Sequence, residues 1–310
     1  MAKWNPNNLP SQKGRQVIIT GGSSGIGYHT ALALCAAGAD VTIAVRNMSK
    51  GQRVVEDIRA THPSGTIRCM QLDVASMASV RAFVASWHET GEPIDTLILN
   101  AGISNVPTRE VTADGFERQL ATNYLGHFLL VNLLLHDIRK SSDSRIIAVA
   151  SLAHKRTQLC LDDLQLEQGY SPMRGYAQSK LALLTFTFEL ARRLQAQGSQ
   201  IRVMAVHPGV AATEITRGGD RIGKFRAKLV KCLFGLMGQS AAEGAWPSLY
   251  AATSDEVQTG HYYGPSGLGE RKGLPAEATA APWAKDENTA RRLWQWTEET
   301  VGVSVIPIKW

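Results

Sequence analysis

The 310-residue sequence predicts a doubly wound α/β fold, and three observations lead there. Between residues 16 and 207, short β-branched runs alternate with longer stretches of helical spacing. The short runs are apolar almost throughout, as strands of a parallel sheet covered on both faces must be. No Pro/Gly/Ser-rich linker, composition break or internal repeat divides the array, so a single domain accounts for it.

Taken in order, strands are predicted at Gln16–Thr20, Val41–Val45, Thr66–Leu72, Ile94–Leu99, Arg145–Ala150 and Ile201–Val206. Helices are predicted at Ile26–Ala37, Lys50–Ala60, Met77–Trp87, Phe116–Arg139 and Tyr176–Gln195. Strands joined through helices in this way make right-handed crossovers. After Pro208 the pattern changes: residues 214–239 are basic and Gly-punctuated, and a helix over Ala241–Ala252 and a last strand near Gly260–Tyr263 follow. From Gly264 the tail reads as loop, then as amphipathic around Arg291–Trp296.

Composition excludes several classes. With 44% apolar and 19% charged residues the chain is neither disordered nor fibrous. A net charge of +6 suits an anionic small ligand as well as it suits nucleic acid, and decides little. Cys35, Cys69, Cys160 and Cys232 are far apart and read as reduced thiols, with no metal site expected. Residues 1–13 hold no apolar run of signal or membrane-span length, which predicts a cytoplasmic protein.

Directly after the first strand comes Thr20-Gly21-Gly22-Ser23-Ser24-Gly25-Ile26-Gly27, opening a helix. A chain that must turn sharply and bring backbone N–H groups against a pyrophosphate at a helix N-terminus favours glycine at each step. The second strand ends Ala44-Val45-Arg46-Asn47, without the acid that would hold an NAD ribose. Arg46 can pair with a 2′-phosphate, which favours NADP(H) over NAD(H), although a solvated surface arginine is the alternative. Asp73 follows the third strand and Asn100-Ala101-Gly102 the fourth. Ligands of open α/β sheets bind at these carboxyl ends, where Ser151 and Pro208 also fall.

Tyr176 and Lys180 are four residues apart on one helix and so share a face. A phenol is a poor base at neutral pH, and a neighbouring ammonium favours its phenolate. Ser151 offers a hydroxyl to a substrate oxygen. Asn123 sits inside a predicted helix, where Asn is intrinsically poor, and could anchor a water linking Lys180 to solvent.

Over residues 14–263 these motifs resemble the short-chain dehydrogenase/reductase family: Thr20–Gly27, Asp73, Asn100–Gly102, Asn123, Ser151, Tyr176, Lys180 and Pro208-Gly209 with Thr213. The segments Thr122–Leu129, Ser151–His154 and His207–Glu214 are similar to its retinol dehydrogenase and protochlorophyllide reductase branch. The resemblance implies a seven-stranded Rossmann sheet with Asn123, Ser151, Tyr176 and Lys180 as a catalytic tetrad. It further implies cofactor contacts from Gly21, Ser23, Ser24, Gly25, Ile26, Gly27, Arg46, Asp73, Val74, Asn100, Ala101, Gly102, Tyr176, Lys180, Pro208, Gly209, Val210 and Thr213, the last at the nicotinamide carboxamide. Segment 214–239 becomes a substrate lid and 264–310 a C-terminal extension. A membrane-surface contact through 217–234 is the other reading of that basic stretch, and nucleic acid is not expected.

The expected function is therefore NADP(H)-dependent hydride transfer between nicotinamide and a fairly apolar carbonyl or alcohol, bound by Ser151 and Tyr176 with His154 lining the pocket. Reduction of an enone double bond on the same fold, or non-catalytic NADP(H) sensing, are the alternatives. Either a homodimer or a monomer fits.

Overall fold

The computed structural model describes residues 4–61, 64–210 and 239–303. One sheet runs in the order β3-β2-β1-β4-β5-β6-β7-β8. Its strands are β1 (Gln16–Thr20), β2 (Asp40–Val45), β3 (Thr66–Gln71), β4 (Thr96–Leu99), β5 (Arg145–Val149), β6 (Arg202–Val206), β7 (Tyr262–Pro265) and β8 (Pro275–Glu277). The first seven pair in parallel, and β8 pairs antiparallel with β7. The expected seven-stranded sheet thus gains an eighth strand. Three residues are too few to show a period, and β8 exists only because Tyr263, Gly264 and Pro265 supply its register.

Helices α1 (Gly25–Ala36), α2 (Met48–Thr61) and α3 (Met77–Thr90) follow the first three strands. A short turn α4 (Arg118–Leu120) leads through one π-helical turn, Ala121–Leu125, into α5 (Gly126–Ile138). Helix α6 (Pro172–Ala196) follows β5, and α7 (Ala241–Gly244), α8 (Trp246–Thr253) and α9 (Glu287–Val301) complete the described chain. Alternate strand residues serve opposite cores: Ile18 and Ile146 pack with α3, α5 and α6, whereas Val17, Ile19 and Ile147 pack with α1, α2 and α8. This explains why the strands read as continuous apolar runs.

Four helices differ from expectation, and the one expected over Ala241–Ala252 is broken at Ala245 into α7 and α8. The single helix expected over Phe116–Arg139 is interrupted by the π turn, where Gly126 lies so close to the Val74 carbonyl that a Cβ would overlap it. Helix α6 begins four residues before Tyr176, because Ser171 caps it through Arg174 N and Pro172 suits the first helical position. The tail ends in a 15-residue helix, α9, whose Trp294 stacks on Phe186 at 5.6 Å between ring centres. Among the described residues no disulfide joins Cys35, Cys69 and Cys160, and no helix is long and apolar enough to cross a membrane. Thr213, Cys232 and the 217–234 segment lie outside the described residues, as does 214–239 except Gln239.

Candidate active site

The strand order places β1 between β2 and β4, so the crossovers diverge there and open a crevice at the carboxyl ends of the strands. A cleft of about 420 Å³ occupies it. Thr20 organises its floor: its buried hydroxyl oxygen accepts from Asn100 N and Ala101 N, each at 2.9 Å. With both donors pointing at it, that hydroxyl gives its own proton to His127 Nε2 at 2.9 Å. His127 Nδ1 then donates to the Asn123 carbonyl at 3.3 Å. Burial, with a weaker push from Lys180, lowers the His127 pKa to about 3, so it is a neutral strut at physiological pH.

Gly21 stands at φ 70°, and a Cβ there would come 2.9 Å from Ala101 Cα. At Gly27 a Cβ would meet the Gly21 carbonyl at 2.5 Å. Asn100 Nδ2 ties the turn down, donating to the Thr20 and Gly21 carbonyls at 2.8 and 3.2 Å. The Ser24 side chain makes no cap bond to α1, so the first N–H groups of that helix face the cleft. A cradle with no room for side chains, closed by an uncapped helix start, fits the pyrophosphate of a nicotinamide dinucleotide.

Gly21, Ser23, Ser24, Gly25, Ile26, Gly27, Arg46, Asp73, Val74, Asn100, Ala101, Gly102, Tyr176, Lys180 and Pro208 all line this cleft. Lys50, Asn47, Ile103 and Thr122 line it as well and were not anticipated. Lys50 had a visible signal, a second cation four residues past Arg46. Ser151, Asn123, Gly209 and Val210 do not line it; Ser151 meets it through its hydrogen bond to Tyr176. Val210 N donates instead to the Arg271 carbonyl at 2.9 Å, and Gly209 packs against that same carbonyl.

The reactive side chains come from three elements. Lys180 is buried on α6, and its Nζ donates to the Val149 carbonyl at 2.7 Å. Burial lowers its pKa to about 8. Tyr176, one turn earlier and half-buried, faces the cleft. Burial raises its phenol above the ordinary value, and a hydrogen bond with the Ser151 side chain works against that rise. Asn123 sits in the π turn with its amide engaged: Nδ2 donates to Ile103 O and Ser179 Oγ at 2.9 and 2.8 Å, and Oδ1 accepts from Ile103 N at 2.8 Å. Ser179 Oγ donates on to the Tyr176 carbonyl at 2.9 Å, so Asn123 braces the helical turn that carries Tyr176.

His154 is the correction. It is fully buried, with Nδ1 donating to the Ser151 carbonyl at 2.6 Å and Nε2 accepting from Ala281 N at 3.1 Å. It does not line the cleft. Position in a loop near the site suggested contact. The partner 127 residues away, which turns the ring inward, had no local signal. Among the described residues no group of three His, Cys, Asp or Glu side chains could hold a metal ion.

Comparison with known proteins agrees with this geometry. A family model described as short chain dehydrogenase matches residues 15–221. Retinol dehydrogenase 13 of Homo sapiens is 40% identical over 300 residues, covering 96% of this chain and 87% of that protein. Polyprenol dehydrogenase of Homo sapiens is 42% identical over 261 residues, covering 82% of this chain and 78% of that protein. Among solved structures, an uncharacterised protein from Mycobacterium paratuberculosis matches with a TM-score of 0.80 at 35% identity, over 98% of this chain and 99% of that one.

Proposed function

This chain belongs to the short-chain dehydrogenase family, and from that premise we propose that it is an NADP(H)-dependent oxidoreductase for an apolar alcohol or its carbonyl form. That it acts on CH–OH or C=O groups follows from the family and its relatives. The observation that carries the finer reading is that Tyr176 and Lys180 line one cleft with the glycine cradle, with the Ser151 side chain hydrogen-bonded to Tyr176.

The nicotinamide, when bound, supplies the hydride donor or acceptor. The chain does the rest. Gly21–Gly27 and the start of α1 would hold the pyrophosphate, and Arg46 with Lys50 would take the 2′-phosphate at the rim. Ser151 holds the substrate oxygen, and Tyr176 gives or accepts the proton at that oxygen. With its pKa raised by burial, the Tyr176 phenol is protonated at neutral pH and ready to donate in the direction of reduction. Lys180, largely charged at neutral pH, favours the phenolate left behind and so tunes the same group for oxidation. Asn123 keeps Tyr176 in place through Ser179.

The relatives named for retinol and polyprenol suggest a long isoprenoid alcohol or aldehyde as substrate class. A cytoplasmic setting, with the protein a monomer or homodimer, belongs to the same proposal. The test is Tyr176→Phe, assayed by NADPH oxidation with retinal, polyprenal and simpler aldehydes. The expected loss is about 10²–10⁴-fold in kcat, the contribution of a general acid, with NADPH still bound. A fully active variant would falsify the mechanism.

A further inference from the structure

Beyond β7 the chain folds back over the ends of β5 and β6. Glu270 is the centre of that return. Its Oε2 accepts from Lys155 Nζ at 2.9 Å, and Lys155 lies in the 3-10 turn Leu152–Arg156 directly after Ser151. The same oxygen is 3.4 Å from Nε2 of His207, the fully buried residue before Pro208. Gly209 N donates to His207 Nδ1 at 3.2 Å, so the ring proton is on Nε2, which lies close to Glu270 but makes no hydrogen bond. Its Oε1 accepts from Thr279 N at 2.9 Å. The neighbouring Arg271 carbonyl takes Val210 N at 2.9 Å, and Ala281 N reaches His154, which holds the Ser151 carbonyl.

Backbone strain marks the same residue. Glu270 has φ 55°, in the left-handed region that disfavours a glutamate, immediately after Gly269 at φ 64°. A second glycine would fit this turn more cheaply, so the contacts of the carboxylate are what keep a glutamate there. His207, then Thr279 N–H and Lys155, hold that carboxyl down at about 2, so it stays charged.

We propose that Glu270 is a positioning residue: by gripping Lys155 through its carboxylate, beside His207, while the adjoining Arg271 carbonyl holds Val210 N, it sets the distance between the Ser151 turn and the Pro208–Val210 turn, and so how substrate and nicotinamide meet. The proposal rests on the reductase reading above. Behind the grip, the Tyr262 ring packs against both His154 and His207, with its hydroxyl buried and without a hydrogen-bond partner.

Glu270→Gly tests it, removing the carboxylate while suiting the backbone, beside Glu270→Asp and Lys155→Ala. NADPH affinity, thermal midpoint, kcat and KM with the best carbonyl substrate of the unaltered protein, and amide exchange are measured together. Glu270→Gly is expected to lower kcat about 10–100-fold, as a small misplacement of reacting groups does, with NADPH affinity kept. Exchange at His154 and Val210 rises and that at Gly21–Gly27 does not. Glu270→Asp recovers part of kcat. Lys155→Ala, altering a partly exposed side chain, shows a share of the loss and adds nothing to Glu270→Gly. A lower thermal midpoint with unchanged kcat and unchanged exchange at His154 and Val210 makes Glu270 merely structural and overturns the proposal. If Glu270→Gly does not fold, Lys155→Ala decides by the same readings. If the unaltered protein reduces no carbonyl compound, the reductase reading fails, and the exchange pattern alone judges Glu270.

Discussion

Residues 16–103 and residues 239–303 build their parts of the molecule by opposite means. In the first, every group at the cleft sits within a few positions of a strand end: Gly21 after β1, Arg46 after β2, Asp73 after β3 and Asn100 after β4. In the second, structure comes from distant partners. Glu270 meets Lys155 across 115 residues, Ala281 meets His154 across 127, and Thr297 meets Tyr124 across 173. A strand, a turn and a helix in succession can be read from composition and period. A contact across a hundred residues leaves no such trace, so the glycine-cradle side is written locally and the C-terminal side is assembled by the fold.

The comparison breaks if the C-terminal part is only an appendage, and Trp294 is the place to try it. The ring is fully buried on α9, edge-on to Phe128 at 5.0 Å between centres and under the Arg193 guanidinium at 4.0 Å. Trp294→Ala is expected to cost about 3–5 kcal/mol, the range for a large aromatic removed from a core. Urea denaturation measures it, and the folded variant should bind NADPH as before. A loss below about 1 kcal/mol, the ordinary cost of a point change, would make α9 an ornament.

What could be read in advance follows the same division. Seven strands, the glycine turn and the Tyr176–Lys180 face were legible because each is a local pattern at a fixed spacing. Strand β8 was not, since Pro275, Ala276 and Glu277 are a strand only against β7. The π turn at Asn123 was not, because helical periodicity does not register one added residue. His154 was placed on the wrong side of its loop for want of Ala281. The extent of α9 was legible in hindsight, from Asp286 capping Thr289 N to Gly302 at φ 65°.

Lys180 sharpens the comparison, standing where the regions meet: Gly102 lies beside it from the first half, and Val149 holds it from the sheet. Its pKa falls from 10.5 to about 8 on burial. Below pH 8 both folded and unfolded chains carry the charge, and the cost of burying it is fully present. Between about 8 and 10.5 the unfolded chain binds the extra proton, so stability rises with pH, by up to about 3 kcal/mol over the whole window. Urea midpoints from pH 7.5 to 9.5, below the ordinary tyrosine range, should therefore climb more in the native protein than in Lys180→Met, where the Cys35 and Cys69 thiols, pushed up by burial, favour a falling slope. Equal slopes would mean that water still reaches the ammonium.

The smallest expected effect lies at the rim of the locally written half. Arg46 is exposed at the mouth of the cleft, with Lys50 beside it as a second cation. An exposed guanidinium paired with phosphate is worth about 1–1.5 kcal/mol, so Arg46→Ala should raise the KM for NADPH roughly tenfold. The KM for NADH, which has no 2′-phosphate, should not move. The effect should shrink as salt is added, because the pair is solvated. Equal losses for both cofactors would put Arg46 on the shared ribose or adenine instead. No loss for either would leave it a surface side chain, and the preference for NADP(H) would then have to rest on Lys50, tested by the same pair of measurements in Lys50→Ala.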